Sequence, residues 1–223
     1  STDILSDGER ANAGQRLIRA HGPAAALHQG WKAVQNVLEW SCGVSGYLVE
    51  MLSMLHQRYP DGQIACTRKA IPGTRSLATQ AILAAGGIIH RGGCAETVLL
   101  FANHRRFLTN PNDWTNAVAR LRSHAPEKKI VVEADTPDEA LAALRAAPDV
   151  LQLDKFTPEQ ATEIVRQAPS LAPHCTLALT GGITLASLAG YLDCGIRLFI
   201  TSAPYYAPPA DIKVSLSPDA RGI

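Results

Sequence analysis

From residue 64 to residue 201 the chain repeats one pattern: a short apolar run, a polar break, then an amphipathic stretch of helical period. Apolar runs at residues 64–67, 87–89, 98–101, 130–133, 150–153, 176–179 and 197–201 predict seven strands. Stretches at 74–85, 113–123, 137–147, 158–167 and 184–192 predict the intervening helices. Thr136-Pro137 and Thr157-Pro158 each supply an N-cap followed by proline at the first helical position. Strands with few polar positions that alternate with amphipathic helices predict a parallel sheet covered by helices. The fold class is α/β: an incomplete parallel α/β barrel of about seven strands, with a small, partial α+β domain at the N-terminal end. No G-x-G-x-x-G follows the first strand, which argues against a dinucleotide-binding sheet.

The flanks follow other patterns. Residues 1–30 hold a turn signal at Asp7-Gly8, one candidate strand at 15–20, and a break at His21-Gly22-Pro23. They carry too little apolar material for a core and are expected to be the remainder of an N-terminal domain whose earlier part is missing. Between residues 24 and 57 Leu27, Trp31, Val34, Leu38 and Cys42 recur at helical spacing, and Gly43 and Gly46 are expected to divide two helices. The barrel is assigned to 31–206. Residues 207–223 follow a proline-rich stretch, and their alternation at 212–216 predicts a half-buried strand that returns to the N-terminal piece.

Composition narrows the function classes. A net charge of +1 leaves no global field for nucleic acid or membrane, so cationic positions are local features. Hydrophobic content of 46% is that of an ordinary core. Five cysteines (Cys42, Cys66, Cys94, Cys175, Cys194) form no C-x-x-C pair and fit a reducing, cytoplasmic setting. No apolar run reaches the length of a membrane span.

Candidate chemistry gathers at the C-terminal ends of the predicted strands, where parallel barrels place reacting groups. The first strand ends in Thr67-Arg68-Lys69 and the second in His90-Arg91; Asn103-His104 follow the third. Glu133 and Asp154 close I-V-V-E and V-L-Q-L-D, and Thr180-Gly181-Gly182 closes the sixth strand. Cations come early, carboxylates midway and a glycine pair late. Such a mouth suits a small, multiply anionic substrate. Two facing carboxylates can hold Mg²⁺ or stabilise a developing cation, and the glycine turn suits a phosphate.

In this order and spacing T-R-K-A-I-P-G-T-R, G-G-I-I-H-R, N-H, V-V-E, L-D and T-G-G-I resemble quinolinate phosphoribosyltransferase (nicotinate-nucleotide pyrophosphorylase). The G-W-K near residue 31 and S-A-P-Y-Y-A-P-P-A-D-I-K-V resemble its ModD, molybdenum-transport-associated branch. The resemblance implies transfer of phosphoribose from phosphoribosyl pyrophosphate to the ring nitrogen of a small heterocyclic acid, with Mg²⁺ and loss of pyrophosphate. It implies substrate contacts from Lys32, Arg68, Lys69, His90, Arg91, Asn103 and His104, and catalytic roles for Glu133, Asp154 and Lys69. Metal binding would fall to Glu133 and Asp154, and phosphate binding to Thr180, Gly181, Gly182 and Ser202. A homodimer, or a higher oligomer of dimers, is implied, with Lys32 lent to the partner's site.

The chain departs from that pattern in three places. Phe101-Ala102 stand where the family has lysine and aspartate, Lys32 replaces the lent arginine, and Ser202 replaces a second phosphate-loop glycine. Losing the lysine removes a charge-assisted contact worth roughly 1.5–3 kcal/mol. The phosphoribosyl half of the site is expected to be kept and the acceptor half changed. Two alternatives remain: a non-catalytic oxyanion-binding accessory protein linked to molybdate uptake, and another phosphate-binding barrel enzyme of aldolase or isomerase type. The second would want a lysine deep in the barrel, and Lys155 lies one step beyond that place.

Overall fold

A computed structural model describes residues 3–93 and 95–218. Two strands, β1 (Asp3–Ile4) and β2 (Ile18–Arg19), pair antiparallel ahead of a long helix, α1 (Ala24–Arg58). Then come β3 (Gln63–Cys66), α2 (Arg75–Ala84), β4 (Ile88–Ile89), β5 (Val98–Leu100), the short α3 (Ala102–Arg105) and α4 (Trp114–His124). β6 (Ile130–Ala134), α5 (Pro137–Arg145), β7 (Val150–Asp154), α6 (Pro158–Leu171) and β8 (Thr176–Thr180) continue the alternation. It ends with α7 (Leu185–Leu188), a 3-10 turn at Ala189–Cys194, β9 (Leu198–Thr201) and a second 3-10 turn at Ala203–Tyr206.

Seven strands make one parallel sheet in the order β4-β3-β9-β8-β7-β6-β5. Its two edges, β4 and β5, are consecutive in the chain, so the sheet is a curled half-barrel that does not close between them. Both proline-led helices start as predicted: Thr136 Oγ1 accepts from Glu139 N–H and Thr157 Oγ1 from Gln160 N–H. The main core lies between the sheet's convex face and its helices, where Leu48, Leu55, Ile64, Leu144, Leu153 and Phe199 are fully buried. The concave face carries only a thin apolar cluster, Ala65, Ala178 and Ile200, with Ile88, Val150 and Leu198 beside it.

Three expectations need correction. α1 is one continuous helix through Gly43 and Gly46. A Cβ on Gly43 would sit 2.3 Å from Pro208 O, so this glycine lets the C-terminal segment approach rather than ending the helix. Residues 211–218 form no strand and do not complete the β1–β2 sheet. Their backbone is held by α1 instead: Ala210 N–H donates to Glu39 O at 2.8 Å and Gln35 Nε2 to Ile212 O at 2.6 Å. The helix expected over 184–192 is four residues of α7 followed by a 3-10 turn that ends at Gly195, whose φ is +90°.

Among the described residues no helix is long and apolar enough to cross a membrane. Cys94 lies outside the described residues. Of the other cysteines, all free, Cys66 and Cys194 are buried, and burial pushes the Cys66 thiol up to about 12.

Candidate active site at the open mouth of the barrel

Strand register sorts the concave face. Partners in a parallel ladder point the same way, and successive residues alternate. Glu133 is paired with Gln152, Gln152 with Ala178, and Asp154 with Thr180. Ala65 is paired with both Ile88 and Ile200. Two positions on from these partners, Thr67, His90 and Ser202 fall on the same inner face, as does Phe101 after Leu99. Alanine at 65 and 178 leaves the mouth room that larger side chains would fill.

The curl brings its two sides together. β4 and β7 are four ladder steps apart, which in a flat sheet is about 19 Å. Yet Nε2 of Gln152 lies 2.6 Å from Nε2 of His90. Gln152 is 2% exposed, and burial, then Arg91, then Arg68 lower the His90 pKa below its ordinary value. A neutral imidazole whose Nε2 accepts from the Gln152 amide carries its proton on Nδ1.

The cationic loop after β3 is strapped down from the C-terminal side. The Thr67 and Ser202 hydroxyls are hydrogen-bonded across β3 and β9. Buried Tyr205 donates its hydroxyl to Thr67 O at 2.8 Å, and Tyr206 donates to Lys69 O at 3.2 Å. Arg68 and Lys69 are exposed past this anchor, and Arg91 is half-buried.

Opposite them stand the carboxylates. Burial, then Asp154, then Asp135 raise the Glu133 pKa, while Lys69 and Lys155 act the other way. The Lys69 ammonium therefore reaches electrostatically from β3 across the mouth to β6. Asp154 is bound by Lys155 Nζ at 3.2 Å, and Lys155 holds a left-handed backbone with φ +57°. A Cβ on Gly181 would meet Asp154 Oδ1 at 2.3 Å, and its φ is +81°. Gly182 has φ +80° with nothing within 4 Å of that position. Among the described residues the N–H groups of Gly181 and Gly182 make no hydrogen bond, so this turn offers free donors beside the carboxylate pair.

Arg68, Lys69, His90, Arg91, Glu133, Asp154, Thr180, Gly181, Gly182 and Ser202 thus surround one mouth. Asn103 and His104 sit on α3 rather than on a loop, exposed, and the Phe101 ring meets the His104 ring edge-on at 4.1 Å. Lys32 is elsewhere. It lies on the exposed N-terminal half of α1, donates to Gln35 Oε1 at 2.9 Å and covers the Trp31 ring at 4.9 Å. No hydrogen bond or ring contact joins it to the mouth among the described residues. Sequence reasoning missed Gln152, although a lone amide inside V-L-Q-L-D was a visible signal. It also missed the Tyr205–Tyr206 strap, which nothing local announces. Arg105 is a third omission: it is 5% exposed, paired with Glu139 Oε1 at 2.9 Å and stacked over Trp114 at 4.1 Å.

Among the described residues no group of three or more His, Cys, Asp and Glu is arranged to hold a metal ion. Two neighbouring carboxylates fit Mg²⁺, which takes one or two protein carboxylates and completes its shell with water and substrate phosphate. They do not fit a closed structural site.

Comparison with known proteins gives a consistent result. Residues 46–215 match the family model "Quinolinate phosphoribosyl transferase, C-terminal domain", and residues 1–42 match the N-terminal domain model of the same family. A protein named ModD from Escherichia coli O6:H1 is 79% identical over 218 residues, which cover 98% of this chain and 77% of that protein. A ModD from Rhodobacter capsulatus is 40% identical, with 87% and 74% covered. The nicotinate-nucleotide pyrophosphorylase [carboxylating] of Dictyostelium discoideum is 33% identical, with 84% and 64% covered. Among solved structures, the nicotinate-nucleotide pyrophosphorylase of Ehrlichia chaffeensis superposes with a TM-score of 0.84 at 19% identity, covering 95% of this chain and 75% of that one. That of Francisella tularensis gives 0.81 at 24%, covering 92% and 70%, so the half-barrel fold is shared.

Proposed function

Since the chain belongs to the quinolinate phosphoribosyltransferase family, we propose that it transfers phosphoribose from phosphoribosyl pyrophosphate to a ring nitrogen of a small heterocycle. The observation that supports this most is the facing of Glu133 and Asp154 across one mouth from Lys69, with the free N–H groups of Gly181 and Gly182 beside Asp154. Oxyanion binding alone needs no carboxylates and is opposed by them.

In this reading the bond from ribose C1′ to the pyrophosphate oxygen breaks, pyrophosphate leaves with the bonding pair, and the ring nitrogen's lone pair forms the new C–N bond. Positive charge develops at C1′ in between. Glu133 and Asp154, partly desolvated, stabilise it through space. Lys69 and Arg68 hold anionic oxygens at the rim, Gly181 and Gly182 donate to the 5′-phosphate with Ser202 nearby, and Arg91 faces the acceptor. Mg²⁺ held by Glu133 and Asp154 would neutralise charge on the pyrophosphate. Asn103 and His104, at the start of α3, close the acceptor side.

Exposed Val34 and Val37 lie on the same N-terminal half of α1 as Lys32, which supports pairing of this half with a second copy and use of Lys32 in the partner's site. Buried free thiols support a reducing, cytoplasmic setting.

Calorimetric titration with phosphoribosyl pyrophosphate and Mg²⁺ tests this reading. Saturable binding that is lost in Asp154→Asn is the expected result. Absent binding, together with clear molybdate binding, would overturn it in favour of an accessory protein.

A further inference from the structure

Gln152 is an amide on the concave face, with Glu133 and Ala178 as its register partners on either side, and it is 2% exposed. A buried amide without partners is costly, so its hydrogen bonds have to be accounted for. One end is used, with its Nε2 bound to His90 Nε2. The other end, Oε1, has no hydrogen-bond partner in the described protein, and it is not among the fully enclosed unsatisfied atoms. It therefore keeps a small contact with solvent, and register places its residue on the concave face that lines the mouth.

Its surroundings decide what can dock there. Register puts Glu133 immediately beside Gln152, and Phe101 beside Glu133 on the far side. Glu133 is a carboxylate whose ionised form is already penalised by burial and by Asp154. Phe101 presents carbon and meets the His104 ring edge-on. A carboxylate of the ligand in this corner would face Glu133, an aromatic ring and a carbonyl oxygen, and the cations that act on Glu133, Lys69 and Lys155, do so through space and already answer the Glu133–Asp154 pair. The cations Arg91, Arg68 and Lys69 lie on the other side, by His90 and the β3 loop. An anionic group of the ligand meets its cations there.

We propose that Gln152 selects the acceptor, and that the acceptor is a nitrogen heterocycle with a neutral hydrogen-bond-donating edge, an amide or lactam N–H, where a dianionic ring would carry its second carboxylate. His90 serves as the positioning residue: by holding one end of the amide it fixes which group the other end shows. A site built to bond an N–H rejects a ring lacking it more strongly than it would reject a mere change of size. The ring's role as acceptor rests on the transferase reading above; the selection itself is a matter of binding alone.

The test uses the whole chain and three probes, nicotinamide, nicotinate and quinolinate, each titrated with and without phosphoribosyl pyrophosphate and Mg²⁺. Nicotinamide is expected to bind at least about tenfold more tightly than quinolinate, and Gln152→Met, of similar volume, should remove that preference. Imidazole ¹⁵N spectra of the free protein should show His90 protonated on Nδ1, and Gln152→Met should shift it toward Nε2–H. Phe101→Lys, which restores a cation in the corner, should raise quinolinate affinity without touching the amide. Tighter quinolinate binding in the unaltered protein, or a preference for nicotinamide unchanged in Gln152→Met, would overturn the proposal. Should phosphoribosyl pyrophosphate fail to bind while the amide preference holds, the transferase reading falls and the selection by Gln152 stands.

Discussion

Gln152 and His90 touch across the mouth although four ladder steps separate their strands, and this hydrogen bond ties one open edge of the half-barrel to its middle. The side chain at the end of β4 is thereby pinned over the concave face instead of hanging from a free edge.

The first prediction concerns the imidazole. Burial is the largest cause of its lowered pKa, followed by Arg91 and Arg68. His90 should titrate below the ordinary ~6.5, and Arg91→Gln should move the midpoint up without bringing it to that value. Because the unfolded chain takes the proton more readily, this group costs no stability above ~6.5 and destabilises the fold as pH falls through the histidine range. NMR titration reads the midpoint directly. A value at or above ~6.5 in the unaltered protein would show the site to be wetter than described.

Much of this site was legible because strand ends in a parallel sheet converge by geometry, whatever the loops do. T-R-K, H-R, the two carboxylates and the glycine pair each stop an apolar run, and all lie around one mouth. Other features depend on contacts between distant segments. Gly43 looked like a helix breaker because its packing partner, Pro208, lies far along the chain. Residues 212–216 alternate as a strand would, but no sheet edge is offered to them and α1 binds their backbone instead. Lys32 is a remote helix residue, and its assignment to a site rests on a second copy.

A second prediction follows from Glu133. If its ionised form is needed, kcat/KM falls as pH drops through a value above the ordinary ~4.3 of glutamate. Asp154→Asn removes the second cause of the shift and leaves burial, the first, so the Glu133 midpoint, read by carboxyl NMR titration of the free protein, should move down but not all the way. A limb at the ordinary value in the unaltered protein would mean that the carboxylates do not share a desolvated site.

The two glycines should respond differently. Both hold left-handed backbone, which costs an alanine roughly 1–2 kcal/mol. Gly182→Ala should show about that loss in urea unfolding, since open space surrounds it. Gly181→Ala also drives a methyl to within 2.3 Å of Asp154 Oδ1, so it should lose more stability and weaken phosphoribosyl pyrophosphate binding further. Equal losses would argue against close packing of the turn on Asp154.

Arg105 and Glu139 join α3 to the start of α5. Glu139→Ala leaves a guanidinium of 6% side-chain exposure without its carboxylate, and removing one partner of a buried pair costs about 3–5 kcal/mol. Trp114 and the Pro111 carbonyl still face Arg105, which favours the lower end of that range. Arg105→Met should cost less, because it removes the charge itself. Denaturation midpoints compare the two, and the reverse order would deny the pair its structural part.

The strap from the C-terminal segment gives the last prediction. Gly43→Ala would place a methyl against Pro208 O, and two backbones give way less readily than a side chain. The segment should lift from α1, breaking the bond from Ala210 N–H to Glu39 O and loosening Tyr205 and Tyr206 just before it. Those tyrosines hold the Thr67 and Lys69 carbonyls, so the cationic loop should lose its fixed position while its charges remain. Faster amide exchange around residues 67–69 and a raised KM are expected. Tyr205→Phe should reproduce the KM effect at a cost of about 0.5–1.5 kcal/mol, a fall of roughly 1–6 °C in Tm. If Tyr205→Phe lowers Tm but leaves both the exchange and the KM unchanged, the strap supports only the fold, and the loop is positioned by β3 and the Thr67–Ser202 contact alone.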